Sequence, residues 1–364
     1  SVAVFFNLIQ GGQGALIQGM RRIKDLAKMS IFSALIGTLV SLPVLSVYEF
    51  DGVVYFLLTM SIGQYLVSLY YARKINIKNI KVSWQQAYKE SKAMIKLGFS
   101  FMGGALAAVL GAYLVRVIII RDLSIADAGI YQAAFTISGL YIGIILQAMG
   151  KDFYPRLTEV AFQSKKEIQL INEQTQVGMI LAAPGLMFTL TLAPIGIRLL
   201  YSAEYLEAYP ILQWMVLGVF MQTISWPMGY LFIARAKGKV FLYVQIVAQI
   251  ILLSATFFAL QIFGLKGTGI AFFVLYCLHV SYMYVLIRKE NNFRWTSQVV
   301  KIIIGMSLLF SLAFVILQFL DEFWGSIIVG SLGLTLTYVA YLEIGKILEI
   351  KNFKELIQKF KKQK

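Results

Sequence analysis

The sequence predicts an all-α protein, a polytopic bundle of membrane-spanning helices, and three observations carry that prediction. Hydrophobic residues make up 59% of the chain and charged residues 14%, with a mean hydropathy of +0.74, far from the mix of a water-soluble domain. The apolar residues gather in about eleven runs, long enough at ~1.5 Å per residue to cross a hydrocarbon layer ~30 Å thick, the first of them cut short. Lys and Arg, finally, crowd into alternate intervals between those runs.

The runs lie near 1–18, 29–48, 53–71, 97–120, 128–150, 174–198, 209–233, 240–262, 267–287, 298–319 and 324–344. Arg21, Arg22, Lys24 and Lys28 follow the first, seven basic residues fall from Arg73 to Lys96, and Lys151, Arg156, Lys165 and Lys166 come next. Arg235, Lys237 and Lys239, then Arg288, Lys289 and Arg294, then a tail with seven lysines from Lys346 onward complete this set. The opposite set holds Arg121, Arg198 and Lys266. Because positive residues stay on the cytoplasmic side, the visible N-terminus is expected outside and the C-terminus in the cytoplasm. The formal charge of +15 is then a topology signal and a means of contact with anionic lipid headgroups, with no need for nucleic acid. The chain opens at Ser1, already inside an apolar stretch, so the reading expects a fragment that lacks its own N-terminal part.

The longest interval, 73–96, is the expected boundary between two helical lobes. Ile77, Ile80, Trp84, Ala87, Tyr88 and Met94 recur there at helical spacing among Lys78, Lys81, Lys89, Lys92 and Lys96, the pattern of a helix lying on a membrane surface. The basic tail 346–364 repeats it with Phe353, Leu356, Ile357 and Phe360. Pro43, Pro184, Pro194 and Pro227 fall inside runs and each removes a backbone hydrogen bond, which bundles tolerate where a helix kinks or flexes. Cys277 alone gives no disulfide framework.

Arg116 lies inside the run 97–120. A guanidinium within a span costs ~2.5 to 3.5 kcal/mol on insertion scales, so it should face the protein interior or a watery cavity where something negative meets it. In the next run Gln132, Thr136, Gly139, Gly143, Gln147 and Gly150 share one helical face. Either the glycines admit a neighbouring helix and the glutamines bond across the contact, or the face lines a transport cavity. Gly218, Gln222, Ser225 and Gly229 share a face further on, as do Gln245 and Gln249.

No Asp or Glu occupies the centre of any run; Asp122, Asp127, Asp152, Glu173 and Glu343 sit at ends. Intramembrane hydrolysis or glycosyl transfer would need carboxylates or a metal site. His279 has no companion at ligand spacing and reads as a packed or hydrogen-bonded core residue, and no phosphate loop of the G-x-x-x-x-G-K-[ST] kind appears. Arginine and amides together suit an anionic group attached to a hydroxyl-rich one, such as a lipid-linked sugar phosphate.

The stretch AYLVRVIIIRDLSIADAGIYQAAFTISGLYIGIILQAMGKDFYPRLTEV, with LIQGMRRIKDLAKMS after the first run, resembles the O-antigen translocases, Wzx-type flippases of the multidrug/oligosaccharidyl-lipid/polysaccharide exporter superfamily. The resemblance implies a two-lobe transporter of 12–14 helices. In it, 1–72 holds the last three helices of an incomplete N-terminal lobe, 73–96 a linker and 97–290 a six-helix C-terminal lobe; 291–345 holds two additional helices and 346–364 the tail. It implies movement of an undecaprenyl-pyrophosphate-linked oligosaccharide between leaflets of a bacterial plasma membrane by rocking of the lobes, with no enzyme activity and no cofactor. Arg116 would meet the pyrophosphate, Gln132, Thr136, Gln147 and Gln222 would line the path, and Arg121 would be a release-side contact or a partner of Asp122 or Asp127. Polysaccharide assembly proteins are further expected partners. The membrane potential favours outward movement of two negative charges by roughly 4 to 5 kcal/mol per 100 mV, with proton or sodium antiport as the rival drive. The alternatives are a drug or small-solute exporter on the same fold and a polymerase- or ligase-type membrane enzyme, which the short external loops disfavour.

Overall fold

In hydrocarbon every backbone N–H and C=O must find its partner within the segment, and runs rich in Leu, Ile, Ala, Phe and Met do so as helices. The computed structural model describes residues 2–48, 52–75 and 83–347. Among these there are eleven α-helices and no strand: α1 (Val2–Gly19), α2 (Ile23–Tyr48), α3 (Gly52–Arg73), α4 (Trp84–Asp122), α5 (Ile125–Glu159), α6 (Ser164–Leu200), α7 (Ala208–Ala234), α8 (Gly238–Phe263), α9 (Lys266–Asn291), α10 (Ser297–Phe319) and α11 (Glu322–Ile347). Each expected run falls on one of them. Ten of these segments are long and apolar enough to cross a membrane, which makes this a multi-pass membrane protein. α1 is not among the ten, because Asn7, Gln10, Gly11, Gly12 and Gln13 dilute its apolar character.

The boundary stretch 73–96 differs from the expected separate surface helix. Residues 76–82 lie outside the described residues, and from Trp84 the chain enters α4, which runs unbroken for 39 residues, about 58 Å. Lysines do not stop a helix, so the amphipathic turns simply continue into the apolar ones. The basic tail from 348 onward also lies outside the described residues.

The chain forms two compact units, 1–90 with 150–159, and 91–149 with 160–364. In the first, α3 packs on both α1 and α2, around Ile17, Leu26, Met29, Val67 and Tyr71. Arg22 donates to the Lys74 carbonyl at 2.9 Å and Arg21 meets Glu159 at 2.8 Å. In the second, α6 and α7 are the central helices, buried along most of their length by α5, α9, α10 and α11. Phe310 of α10 stacks on Phe220 of α7 at 4.7 Å, and Gln318 donates to Gln213 at 2.8 Å.

One helix–turn–helix pattern occurs twice in constant register, each copy followed by a third helix. The same offset separates Gly19 from Ala234, Ile23 from Gly238 and Tyr48 from Phe263, the ends of α1 and α7 and the bounds of α2 and α8. The turn after the first helix is closed identically: Arg21 (φ 55°) and Ala236 (φ 53°) take the left-handed conformation. Arg22 N–H then bonds Ile17 O at 3.1 Å as Lys237 N–H bonds Phe232 O at 2.8 Å, the six-to-one closure of a helix end.

α6 runs through Pro184 and Pro194, and α7 through Pro227. Pro194 leaves the carbonyl four residues earlier without a donor, and the Tyr209 hydroxyl of α7 supplies one to Leu190 O at 3.2 Å. Where helices touch most closely the contact is glycine: a Cβ on Gly269 of α9 would sit 2.5 Å from Ile211 O of α7, and one on Gly104 of α4 would sit 2.7 Å from the Phe241 ring of α8. We expect Gly269→Ala to destabilise the detergent-solubilised protein by about 1 to 3 kcal/mol, since backbone cannot yield to the added methyl. Gly143→Ala, which meets open space, should leave the thermal unfolding midpoint unchanged or raised.

Candidate functional site

The turn at 123–124 makes α4 and α5 antiparallel neighbours, and this places Arg116, near the Asp122 end of α4, against the first turns of α5. Arg116 is half-buried, and its Nη1 donates to Gln132 Oε1 at 2.9 Å. Gln132 Nε2 in turn donates to Thr136 Oγ1, one helical turn along, at 3.2 Å. Arg116, Gln132 and Thr136 thus form one hydrogen-bonded chain, with Ala133 and Ala134 buried behind it. No ion pair of the described residues includes Arg116, so a neutral amide oxygen is the hydrogen-bond partner of this cation.

The α5 stripe stays open as far as Gln147, and Gly150 at its end is buried. Gly139, Gly143 and Gln147 are exposed, and a Cβ on either glycine would meet nothing within 4 Å. The close helix contact that these glycines could have served is made by others, Gly104 and Gly111 of α4 against Gln245 and Gln249 of α8. Gln147 stands about 22 Å along α5 from Gln132 and is not gathered with the Arg116 group. Arg121 has an 83% exposed side chain with Nε 3.7 Å from Asp122 Oδ1. Asp127 is engaged instead by Ser124, whose Oγ donates to its carboxylate at 2.6 Å and accepts its N–H at 3.1 Å, a reciprocal cap on α5.

Gln222 lies elsewhere, on α7, where it borders a partly open cavity of about 300 Å³ lined by α7, α8 and α9. Ser225, Trp226, Gln245, Tyr276 and His279 share that lining. His279 is packed edge-on between Tyr276 and Tyr282, with ring centroids at 5.9 and 4.9 Å, and its buried Nδ1 has no hydrogen-bond partner within the protein.

Sequence reasoning missed a buried ion network at the basic end of the same unit. Arg235 and Lys237 read only as topology signals, and Glu167 gave no signal beyond its place in the first turn of α6. In the structure the Glu167 side chain is fully buried and accepts from Phe162 N–H at 2.8 Å, Arg235 Nε at 2.8 Å, Arg235 Nη2, and Asn291 Nδ2 at 3.2 Å. Four donors fill the capacity of one carboxylate. Arg235 also reaches Glu290 at 3.4 Å, which Lys237 meets from its other side. The hydrogen bonds to Glu167 push the Arg235 guanidinium still higher than its ordinary value, so the cation persists. Asn172 of α6 extends the tie, accepting from Thr296 N–H at 2.8 Å and donating to Arg294 O at 3.2 Å. The network joins the starts of α6, α8 and α10 to the end of α9. Replacing Arg235 with Ala strands a buried carboxylate, and a loss of about 3 to 5 kcal/mol in unfolding free energy is expected, measurable by thermal or denaturant unfolding in detergent. Arg121→Ala, removing an exposed pair, should not shift the same curve.

Comparison with known proteins agrees with this architecture. A family model described as "Polysaccharide biosynthesis protein" matches residues 1–210. The succinoglycan biosynthesis transport protein ExoT of Rhizobium meliloti (strain 1021) is 26% identical over 120 residues, 33% of this chain. The match spans only 24% of the length of that relative. In fold the chain is similar to the lipid II flippase MurJ in an inward closed conformation, with a TM-score of 0.55 at 16% identity over 94% of this chain and 73% of that one. With more than half of its length matched by the family model, the chain belongs to the polysaccharide biosynthesis protein family.

Proposed function

We propose that this protein moves an undecaprenyl-pyrophosphate-linked oligosaccharide, an O-antigen unit or similar repeat, from the cytoplasmic to the periplasmic leaflet of a bacterial plasma membrane by alternating access. The observation that carries the proposal is Arg116. It is a guanidinium within a spanning helix, hydrogen-bonded to a neutral amide. A cation at that depth is stabilised when an anion joins it, and the planar fork of arginine matches the oxygens of a diphosphate. Gln132 and Thr136 orient the fork and offer further donors and acceptors beside it. Gln147 and Gln222 would meet the saccharide further along the path, and Arg121, exposed at the Asp122 end, would contact the headgroup on release.

In this reading the basic helix ends face the cytoplasm under the positive-inside rule, with the C-terminus on that side and anionic lipids around it. Arg116 then stands in the outer half of the membrane, and the inside-negative potential drives a dianionic headgroup toward it. The name of the matched relative, a transport protein of succinoglycan biosynthesis, supports a glycan cargo, and polysaccharide assembly proteins would receive it.

Reconstituted full-length protein, given a labelled undecaprenyl-pyrophosphate oligosaccharide and an imposed potential, should move the lipid across the bilayer. Arg116→Ala should slow that movement at least about tenfold, and Arg116→Lys, which keeps the charge and loses the fork, should fall between. Native protein that moves no lipid-linked saccharide would refute the function. Unchanged transport in both variants would remove Arg116 from the path.

A further inference from the structure

The α7–α8–α9 cavity has a lining whose chemistry the fold does not use. The buried Nδ1 of His279 has no hydrogen-bond partner within the protein, and the half-buried amides of Gln222 and Gln245 border the same space. A buried polar atom is ordinarily satisfied, and an unpartnered imidazole nitrogen that shares a cavity with two side-chain amides points to a ligand that both donates and accepts. Trp226 and Tyr276 add aromatic surface, with the Tyr230 ring 4.5 Å from that of Trp226. Not one Asp, Glu, Lys or Arg contributes to the lining.

Each feature removes a class of ligand. A cation would be desolvated there with no countercharge, and so would a phosphate. A purely apolar molecule would leave the amides unpaired, at a cost that defeats its binding. An uncharged sugar ring satisfies all of them, since its hydroxyls pair with amides and imidazole while its C–H faces lie on aromatic rings. At about 300 Å³ the space is at the lower end of ligand pockets, sized for a single ring.

We infer that this cavity binds an uncharged sugar ring of the transported saccharide, held by Gln222 and Gln245 with Trp226, Tyr276 and His279. The inference rests on the lipid-linked saccharide reading above. It also assigns the ring: Gln245 stands level with Gly104 on α4, about 18 Å along that helix from Arg116, so the cavity receives a sugar remote from the pyrophosphate. The site thereby selects among glycans independently of the group that holds the diphosphate.

Saturation-transfer NMR on the full-length protein in nanodiscs, with the methyl glycosides of glucose, galactose and N-acetylglucosamine as probes, tests this without any transport step. Native protein should give ring-proton signals with at least one glycoside. Gln222→Met and Gln245→Met, on different helices, should each weaken that binding about three- to tenfold. Gln249→Met, one turn further along α8 and facing Gly111, should bind as native does. No signal from any glycoside on native protein, or native binding in both Gln222→Met and Gln245→Met, overturns the inference. Glycoside binding by a protein that flips no lipid-linked saccharide would sink the transport reading and leave the sugar site standing. Flipping without glycoside binding would do the reverse.

Discussion

A hydrocarbon layer offers no hydrogen bonds, and that single condition decides most of what this chain does with its polar atoms. Leu190 O, freed by Pro194, is claimed by a tyrosine from the neighbouring helix, and Glu167 is buried only because four donors converge on it. Asn172 spends its amide on the backbone leading into α10. Some buried atoms, among them Trp214 Nε1, Trp295 Nε1 and Thr256 Oγ1, stay unpaired, and two sets of partly paired groups bear on a cargo. Arg116 has an amide where a charge belongs, and the α7–α9 cavity is bordered by amides and an imidazole with nothing to hold. Both stand out for the same physical reason, and the cargo proposed above, with a head anionic at one end and rich in hydroxyls at the other, would account for both.

Composition and the placement of Lys and Arg made the helices legible, because the bilayer imposes a length and a periodicity that any sequence must obey. The pairing of Arg116 with Gln132 was within reach for a similar reason: a short turn between two long runs forces their adjoining ends together. The Glu167–Arg235 tie was not legible, since its partners are distant in sequence and meet only when α6, α7 and α9 are packed. Basic residues at that end have a topological explanation ready, which hides a structural one. Glycines showed the same ambiguity. Gly139 and Gly143 sit in a stripe that suits close packing but touch no neighbour, whereas Gly269 and Gly104, which drew no notice, are where backbone and side chain of another helix leave no room for a methyl. Spacing reports which residues share a face; only the packing reports what that face meets.

The turn and second helix of α1–α2–α3 recur in α7–α8–α9 at one sequence offset, although α3 has 22 residues and α9 has 26. Gly52 and Gly267 hold equivalent places in the two copies, and both face a carbonyl of the preceding helix, Val44 O and Ala259 O, so closely that a larger residue would press on the hairpin. At the turn the first copy carries Arg22, which donates to the Lys74 carbonyl and pairs with Asp25, where the other carries the buried cluster of Glu167, Arg235 and Asn291. Because main-chain atoms alone close that turn, one backbone geometry serves a half-exposed polar setting in one place and a sealed one in the other.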